Sequence, residues 1–350
     1  MNTDDINKEH PSVFGRDMEQ LDELLALGLD EAGNEEAETL WPNAFVDGCI
    51  DEPGTQIGRY KLLRILGEGG VGIVHLAEQA HPIKRQVALK VIKPGMDTKQ
   101  VIAHFEVERQ VLTFFDHPNI AHVYDAGMTL RGRPFFVMEY VEGRPITDYC
   151  DQHKLAIEAR LALFLEVCEA VHHAHQKGII HRDIKPSNVL VSDQEGKPLP
   201  KIIDFGVAKA IGKSLTEYSL HTEVSQLMGT PEYMSPEQAD MAHEDIDIRS
   251  DVYSLGVLLY NLLAGRLPFE ARELRGHGLE HIRRVIREEE PKTPGSLLSG
   301  LGAVSDQIAR NRQTDAKTLV RHLRNELEWI PLKAMRKERA QRYQSAAELA

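Results

Sequence analysis

The stretch His181-Arg182-Asp183-Ile184-Lys185-Pro186-Ser187-Asn188 constrains this chain more than any other. Within six residues it holds a carboxylate, an ammonium and a carboxamide. Pro186 denies the segment a continuous helix, so the three side chains can converge on one point instead of fanning around an axis. The apolar run Val189-Leu190-Val191 follows directly and reads as a strand that anchors the segment. A carboxylate, a cation and an amide gathered this way make a reaction centre, and the fold has to bring other parts of the chain over that one loop.

The length of 350 residues allows two or three packed units around a large core. With 42% hydrophobic and 27% charged residues the composition is that of a soluble globular protein. The net charge of −13 is confined to one end: residues 1–53 hold 15 Asp and Glu against Lys8 and Arg16, while the other 297 residues balance at 39 acidic and 39 basic. A neutral body offers no basic face for nucleic acid. The three cysteines, Cys49, Cys150 and Cys168, are scattered without a CxxC pair, which suits a reduced, cytoplasmic setting. No basic start precedes an apolar core, so no signal peptide is expected. The longest apolar run, Val252 to Ala264, carries Tyr253, Ser254 and Asn261 and is too short for a bilayer, so it reads as a buried helix.

The chain divides by pattern. Residues 1–56 read as an acidic, mostly disordered tail, with an amphipathic piece at Met18 to Leu29 that offers a docking helix as the alternative. From Tyr60 the pattern alternates: two strands meet through Gly67-Glu68-Gly69-Gly70-Val71-Gly72 as a hairpin, Gln86 to Ile92 makes a third strand, residues 98–115 a helix, and Phe135 to Met138 a buried strand. Strands with one helix among them make a small β-rich lobe, residues 57–142. After Gly143 the character is helical over 143–350. Helices are expected from Leu155 to Lys177, Asp251 to Leu263, about Leu279 to Arg287, and Leu319 to about Ile330, where Pro331 should end or kink the pattern. Short strands are expected at Val189 to Val191 and Lys201 to Ile203. Pro291 to Thr314, rich in Gly, Ser and Pro, reads as a long loop. The pattern at Ser345 to Ala350 reads as a last helix that is incomplete where the sequence stops.

Several motifs could serve Asp183. Gly67, Gly69 and Gly72 form GxGxxG, which dinucleotide-binding folds also use before a helix; here the β-branched run Ile73-Val74-His75-Leu76 follows. A hairpin tip without side chains can lie against phosphate oxygens, the alternative being a plain structural turn. Lys90 closes the run Val87-Ala88-Leu89, and Glu108, 18 residues further on, is a candidate ion-pair partner, with Glu106 competing. Asp204 and Asn188 are hard oxygen ligands suited to Mg²⁺. Asp183 would accept the proton of an acceptor hydroxyl, and Lys185 would neutralise charge on the transferring phosphoryl group.

The ordered set Gly67-x-Gly69-x-x-Gly72-x-Val74, Val87-Ala88-Leu89-Lys90, His181-Arg182-Asp183-x-x-x-x-Asn188, Asp204-Phe205-Gly206 and Ser235-Pro236-Glu237 resembles the protein-kinase signature set. Gly229 to Gln238 and Arg342-Tyr343-x-Ser345-Ala346 narrow the likeness to bacterial, eukaryotic-like (Hanks-type) serine/threonine kinases, over about residues 57–350. The resemblance implies an α+β, bilobal protein-kinase fold with a small β-rich N-lobe and a larger, mainly helical C-lobe. It implies ATP under Leu66, Gly67, Glu68, Gly69, Gly70, Val71, Gly72, Ile73 and Val74, with Lys90 on its phosphates. Val74, Ala88 and Leu190 would sandwich adenine, Met138 would be the gatekeeper, and the backbone of Glu139 to Val141 would bind the adenine edge. Catalytic roles fall to Asp183, Lys185, Lys90 and Glu108, the last favoured over Glu106 by its distance from His117-Pro118-Asn119-Ile120, and metal ligation to Asn188 and Asp204.

The same resemblance implies Asp251 anchoring the catalytic loop, Glu237 pairing with Arg342, and a Ser/Thr acceptor on a protein substrate, from Lys185 and Thr230. Arg182 would answer a phosphorylated activation segment, with Thr222 as the site and Ser219 and Ser225 as alternatives, self-association allowing phosphorylation in trans. Val71 replaces the common loop-tip aromatic, Ser235 replaces Ala of Ala-Pro-Glu, and Asn261 stands where arginine-directed kinases often carry a glutamate. His172 and His175 are spaced like zinc ligands, but no cysteine or carboxylate constellation completes a site, and they read as helix-face histidines. Two other readings compete: a pseudokinase, which should lack one of Lys90, Asp183, Asn188 and Asp204, and a small-molecule phosphotransferase, which should lack a segment like Gly229 to Gln238. All of these residues are present.

Overall fold

Alternation decides the first layer. In the computed structural model, strands β1 (Gln56–Ile57), β2 (Tyr60–Glu68), β3 (Gly72–Gln79), β4 (Arg85–Ile92), β5 (Val123–Met128) and β6 (Pro134–Glu139) form one antiparallel sheet in the order β1-β2-β3-β4-β6-β5. The structure describes residues 53–69, 72–93, 116–204, 230–240, 246–270, 274 and 278–350. The acidic tail, the helix expected over 98–115 with Glu106 and Glu108, Gly70, Val71, and Phe205 to Gly229 with Ser219, Thr222 and Ser225 lie outside them. Val87, Leu89 and Val91 of β4 pack with Leu62, Ala77, Phe135 and Val137 into an apolar cluster on one face. Their alternates Ala88 and Lys90 therefore occupy the opposite face, a consequence of the two-residue period. Strand β5 was not foreseen, since Val123-Tyr124-Asp125-Ala126-Gly127-Met128 alternates too weakly.

The second layer is helical. Helices α1 (Ile146–Gln152) and α2 (Ile157–Gln176) follow the short strand β7 (Arg144–Pro145). Gly178 terminates α2 at φ +75°, a conformation that favours a residue without Cβ. Strands β8 (Val189–Gln194) and β9 (Lys197–Ile202) pair with β7 in the order β7-β8-β9. They are joined by Glu195 and Gly196, both at positive φ, which is the signature of a tight hairpin turn. Pro198 and Pro200 sit in β9 because it is the edge strand of this sheet.

Helix α3 (Pro236–Ala239) precedes α4 (Ile248–Ala264), the buried centre of the lobe. Asp247 caps α4 by accepting from Arg249 N at 2.8 Å, and Gly265 ends it at φ +65°. A Cβ on Gly256 would stand 2.7 Å from Ala334 Cβ, so that glycine lets α4 and α9 (Trp329–Ala334) approach closely. Helix α5 (Leu279–Glu288) follows α4, and α10 (Ala346–Leu349) closes the described chain.

Two expectations are corrected. The stretch from Pro291 to Thr314 is not a long loop: it holds helices α6 (Pro294–Ser299) and α7 (Ala303–Arg310). Thr293 caps α6 with Pro294 in its first position, where the missing N–H costs nothing, and burial of Leu298, Ile308 and Ala309 supplies what weak propensity did not. The helix expected over Leu319 to Ile330 begins earlier, as α8 (Ala316–His322) capped by Asp315, and passes through a π turn at Leu323–Leu327. A new helix, α9, begins at Trp329, and Pro331 lies in its first turn, where N–H groups have no intrahelical partner.

Candidate active site

The glycine hairpin is built unevenly. A Cβ on Gly72 would meet Val91 O at 2.5 Å, so this glycine is required by contact with the neighbouring strand. Gly67 has no atom within 4 Å of an added Cβ, and Gly69 N bonds Gly72 O at 2.9 Å across the tip. Leu66, Gly67 and Glu68 end β2, Gly72, Ile73 and Val74 begin β3, and Glu68 pairs with Lys93 at 2.8 Å.

Cross-strand register assembles the next surface. Val74 stands opposite Lys90, and Ala88 opposite Met138. Directly paired residues share a face, so Val74, Ala88, Lys90 and Met138 lie together on the face turned away from the apolar cluster. Leu190 lies on β8, half-exposed between the buried Val189 and Val191. At the end of β6, Glu139 N donates to His122 O at 2.8 Å. Its carboxylate accepts from Lys201 Nζ at 2.7 and 2.8 Å and lies 3.3 Å from His122 Nδ1. Burial pushes the Glu139 carboxyl up, and Lys201 and His122 outweigh it, leaving it below the ordinary carboxylate range. Val141 is buried in the segment that follows.

The His181 to Asn188 loop is held from beneath. Asp251, fully buried in the first turn of α4, accepts from His181 N and Arg182 N, each at 2.8 Å, and lies 2.8 Å from His175 Nε2. Thus His175 faces the anchor of the loop, and His172 lies 3.1 Å from Gln176 Nε2. His181 Nδ1 accepts from Asp183 N at 3.2 Å, and burial lowers the His181 pKa, favouring the neutral ring. Asp183 Oδ2 is 2.8 Å from Lys185 Nζ and accepts from Asn188 Nδ2 at 3.1 Å; the same amide also reaches Asp183 O at 2.8 Å. With its nitrogen so used, Asn188 has its carbonyl oxygen available as a hard ligand.

Ile203 N donates to Asn188 O at 2.9 Å, which sets Asp204 beside Asn188. Asp204 adopts φ +58° and accepts from Lys90 Nζ at 2.6 Å through both carboxylate oxygens. The structure therefore brings together Asp183, Lys185 and Asn188, and joins Lys90 to Asp204. The partner foreseen for Lys90, Glu108, is outside the described residues, as are Gly70 and Val71. Two hard carboxylate or amide oxygens beside a carboxylate-bound ammonium suit a divalent cation carrying phosphate.

Residues not singled out in advance also shape the site. Lys201 and His122 secure Glu139, and Gln238 Nε2 donates to Arg182 O at 2.8 Å. The Ser235-x-x-Gln238 spacing is a capping-box pattern and could have flagged Gln238; nothing local marks Lys201. Arg342 pairs with Glu237 as foreseen, and the structure makes the pair bidentate, at 2.7 and 2.8 Å.

Residues 60–328 match the family model described as a protein kinase domain. The chain is 34% identical over 257 residues to the serine/threonine-protein kinase Pkn1 of Myxococcus xanthus, covering 73% of this chain and 35% of that protein. It is 34% identical over 296 residues to the serine/threonine-protein kinase PknB of Mycobacterium tuberculosis, covering 83% and 42%. It thus spans between 35% and 42% of the length of these relatives. The crystal structure of the PknI kinase domain of Mycobacterium tuberculosis matches with a TM-score of 0.58 at 24% identity over 85% of this chain and 96% of that one, a likeness of fold.

Proposed function

Because the chain belongs to the protein kinase family, we propose that it transfers the γ-phosphoryl group of ATP to serine and threonine hydroxyls of proteins, itself included. The supporting observation is the environment of a single oxygen: Asp183 Oδ2 lies 2.8 Å from an ammonium and 3.1 Å from an amide nitrogen. Asp183 would accept the proton of the attacking hydroxyl, its orientation set by the Asn188 amide. Lys185, next to it, would balance the charge gathering on the transferred group. Asn188 and Asp204 would hold Mg²⁺, which when bound neutralises the phosphate oxygens. For Asp204 to do so, Lys90 would shift from carboxylate to phosphate, exchanging one anion for another.

In this reading residues 57–142 hold the nucleotide through the hairpin, Lys90 and the backbone of Glu139 to Val141, and residues 143–350 carry the transfer loop. The working compartment is the reducing cytoplasm. Among the described residues, no helix is long and apolar enough to cross a membrane. Activation would come from phosphorylation of Thr222, with Arg182 as the cation that answers it.

Incubation with ATP and Mg²⁺, followed by phosphosite mapping, tests the reading. The wild-type chain should incorporate phosphate on Ser and Thr, and Asp183→Asn should lower the rate by about 10²-fold or more. Undiminished incorporation in that variant would remove Asp183 from its role, and an inactive wild-type protein would favour a binding module instead.

A further inference from the structure

The peptide plane between Arg182 and Asp183 is held at both ends. Its N–H, on Asp183, donates to His181 Nδ1 at 3.2 Å, and its carbonyl, on Arg182, accepts from Gln238 Nε2 at 2.8 Å. The two preceding amides are fixed separately by Asp251, at 2.8 Å each. Arg182 itself stands at φ +63°, a left-handed conformation that a residue with a side chain keeps only where its surroundings over-determine it. That φ is set by the plane before it, which Asp251 holds through Arg182 N. Rotation of the 182–183 plane would instead change ψ at Arg182 and φ at Asp183, the torsions that lead the backbone into Asp183, and so loosen where its carboxylate points.

Gln238 is well placed to prevent that rotation. It is the third residue of α3, and its Oε1 accepts from Ser235 N at 3.0 Å and Ser235 Oγ at 3.1 Å in a capping box. With the oxygen committed to the helix start, the nitrogen of the amide turns outward to the loop. The helix beneath is fixed by Glu237, which is buried against Arg342 and accepts from Ser250 Oγ at 2.6 Å. A capping box is completed equally well by glutamate. An amide can accept from Ser235 and donate to Arg182 at once, which an ionised carboxylate cannot.

We propose that Gln238 is a positioning residue for the phosphoryl transfer, aiming Asp183 by clamping the Arg182 carbonyl and linking the Ser235-Pro236-Glu237 helix to the reaction loop. The inference rests on the kinase reading above.

Gln238→Glu isolates the clamp, because it keeps the acceptor for Ser235 and removes the donor to Arg182. Gln238→Met removes both. In the full chain at about pH 8, Gln238→Glu should keep the wild-type melting temperature and KM for ATP while kcat falls about tenfold, the scale expected of a displaced reacting group. As pH falls and the new carboxyl takes up a proton, its O–H can again donate to Arg182 O. The kcat of the Glu variant relative to wild type should therefore climb, while Gln238→Met stays low at every pH. Amide hydrogen exchange over residues 181–188 should be faster in both variants than in the wild type.

A wild-type kcat in Gln238→Glu at about pH 8 overturns the proposal. So does a loss that tracks melting temperature and is equal in the Glu and Met variants across pH. Should the wild-type chain transfer no phosphate, the kinase reading fails with the catalytic part of this one; the exchange data then decide the clamp alone, unchanged exchange in both variants overturning it and faster exchange supporting it.

Discussion

Replacing Arg342 and Glu237 together should cost this protein far less than the sum of replacing each alone. Their side chains are 0% and 2% exposed. Every N–H of the guanidinium has an acceptor: Nε meets Arg336 O at 2.7 Å, Nη1 meets Glu237 Oε1 at 2.7 Å and Arg249 O at 3.0 Å, and Nη2 meets Glu237 Oε2 at 2.8 Å and Lys337 O at 2.9 Å. Arg342→Met leaves a buried carboxylate with the Ser250 hydroxyl as its side-chain donor, and Glu237→Leu leaves a buried cation, each costing about 3–5 kcal/mol. The double variant strands no charge. It frees three carbonyl acceptors, at about 1 kcal/mol each, so its loss of about 3 kcal/mol falls well short of the summed single losses.

Urea unfolding of the four proteins measures the cycle, and each single variant should melt about 6–20 °C lower. Additive losses, or a single-variant loss below about 1 kcal/mol, would refute the reasoning. A pH signature accompanies it. Burial pushes the Glu237 carboxyl up, but Arg342 and Ser250 hold it below its ordinary value. Its contribution is therefore complete above the unfolded value of about 4.3 and is lost as pH falls towards the folded one. In Arg342→Met burial acts with little opposition, so that variant's deficit should narrow as the medium is acidified.

Gly72→Ala should destabilise by about 1–3 kcal/mol, since its Cβ would meet Val91 O at 2.5 Å and neither backbone can yield freely. Gly67→Ala, with open space around the new methyl, should leave unfolding within about 0.5 kcal/mol of wild type and show itself in nucleotide binding, read by isothermal titration with ATP and Mg²⁺. Stability should be level above about pH 6.5 and fall as pH drops below it, because burial lowers the His181 pKa and the unfolded chain binds that proton more readily. Urea midpoints that rise between about pH 7 and pH 5.5 would contradict this.

What could be read from residues alone was whatever local chemistry dictates. The periodicity of Ile157–Gln176 and Ile248–Ala264, the strands around Gly67 to Gly72, and the non-helical loop carrying Asp183, Lys185 and Asn188 all follow from spacing, turn residues and one proline. So does the Ser235-x-x-Gln238 box, although its second use does not. Helices α6 and α7 escaped because their stability comes from burial of Leu298, Ile308 and Ala309 and not from propensity.

The reaction loop that opened the reading was legible as a set of side chains. Its aim was decided in three dimensions: Asp251, 70 residues beyond His181, fixes two of its amides, and Gln238, 56 residues beyond Arg182, clamps its carbonyl. Likewise Lys90 could be picked out as the cation that matters, but the carboxylate that holds it here, Asp204, lies 114 residues away. Sequence carries hydrophobic period and turn chemistry, which act over a few residues. Which acceptor lies within hydrogen-bond reach of a given donor depends on strand register and on how the packed elements meet, and those are properties of the folded whole.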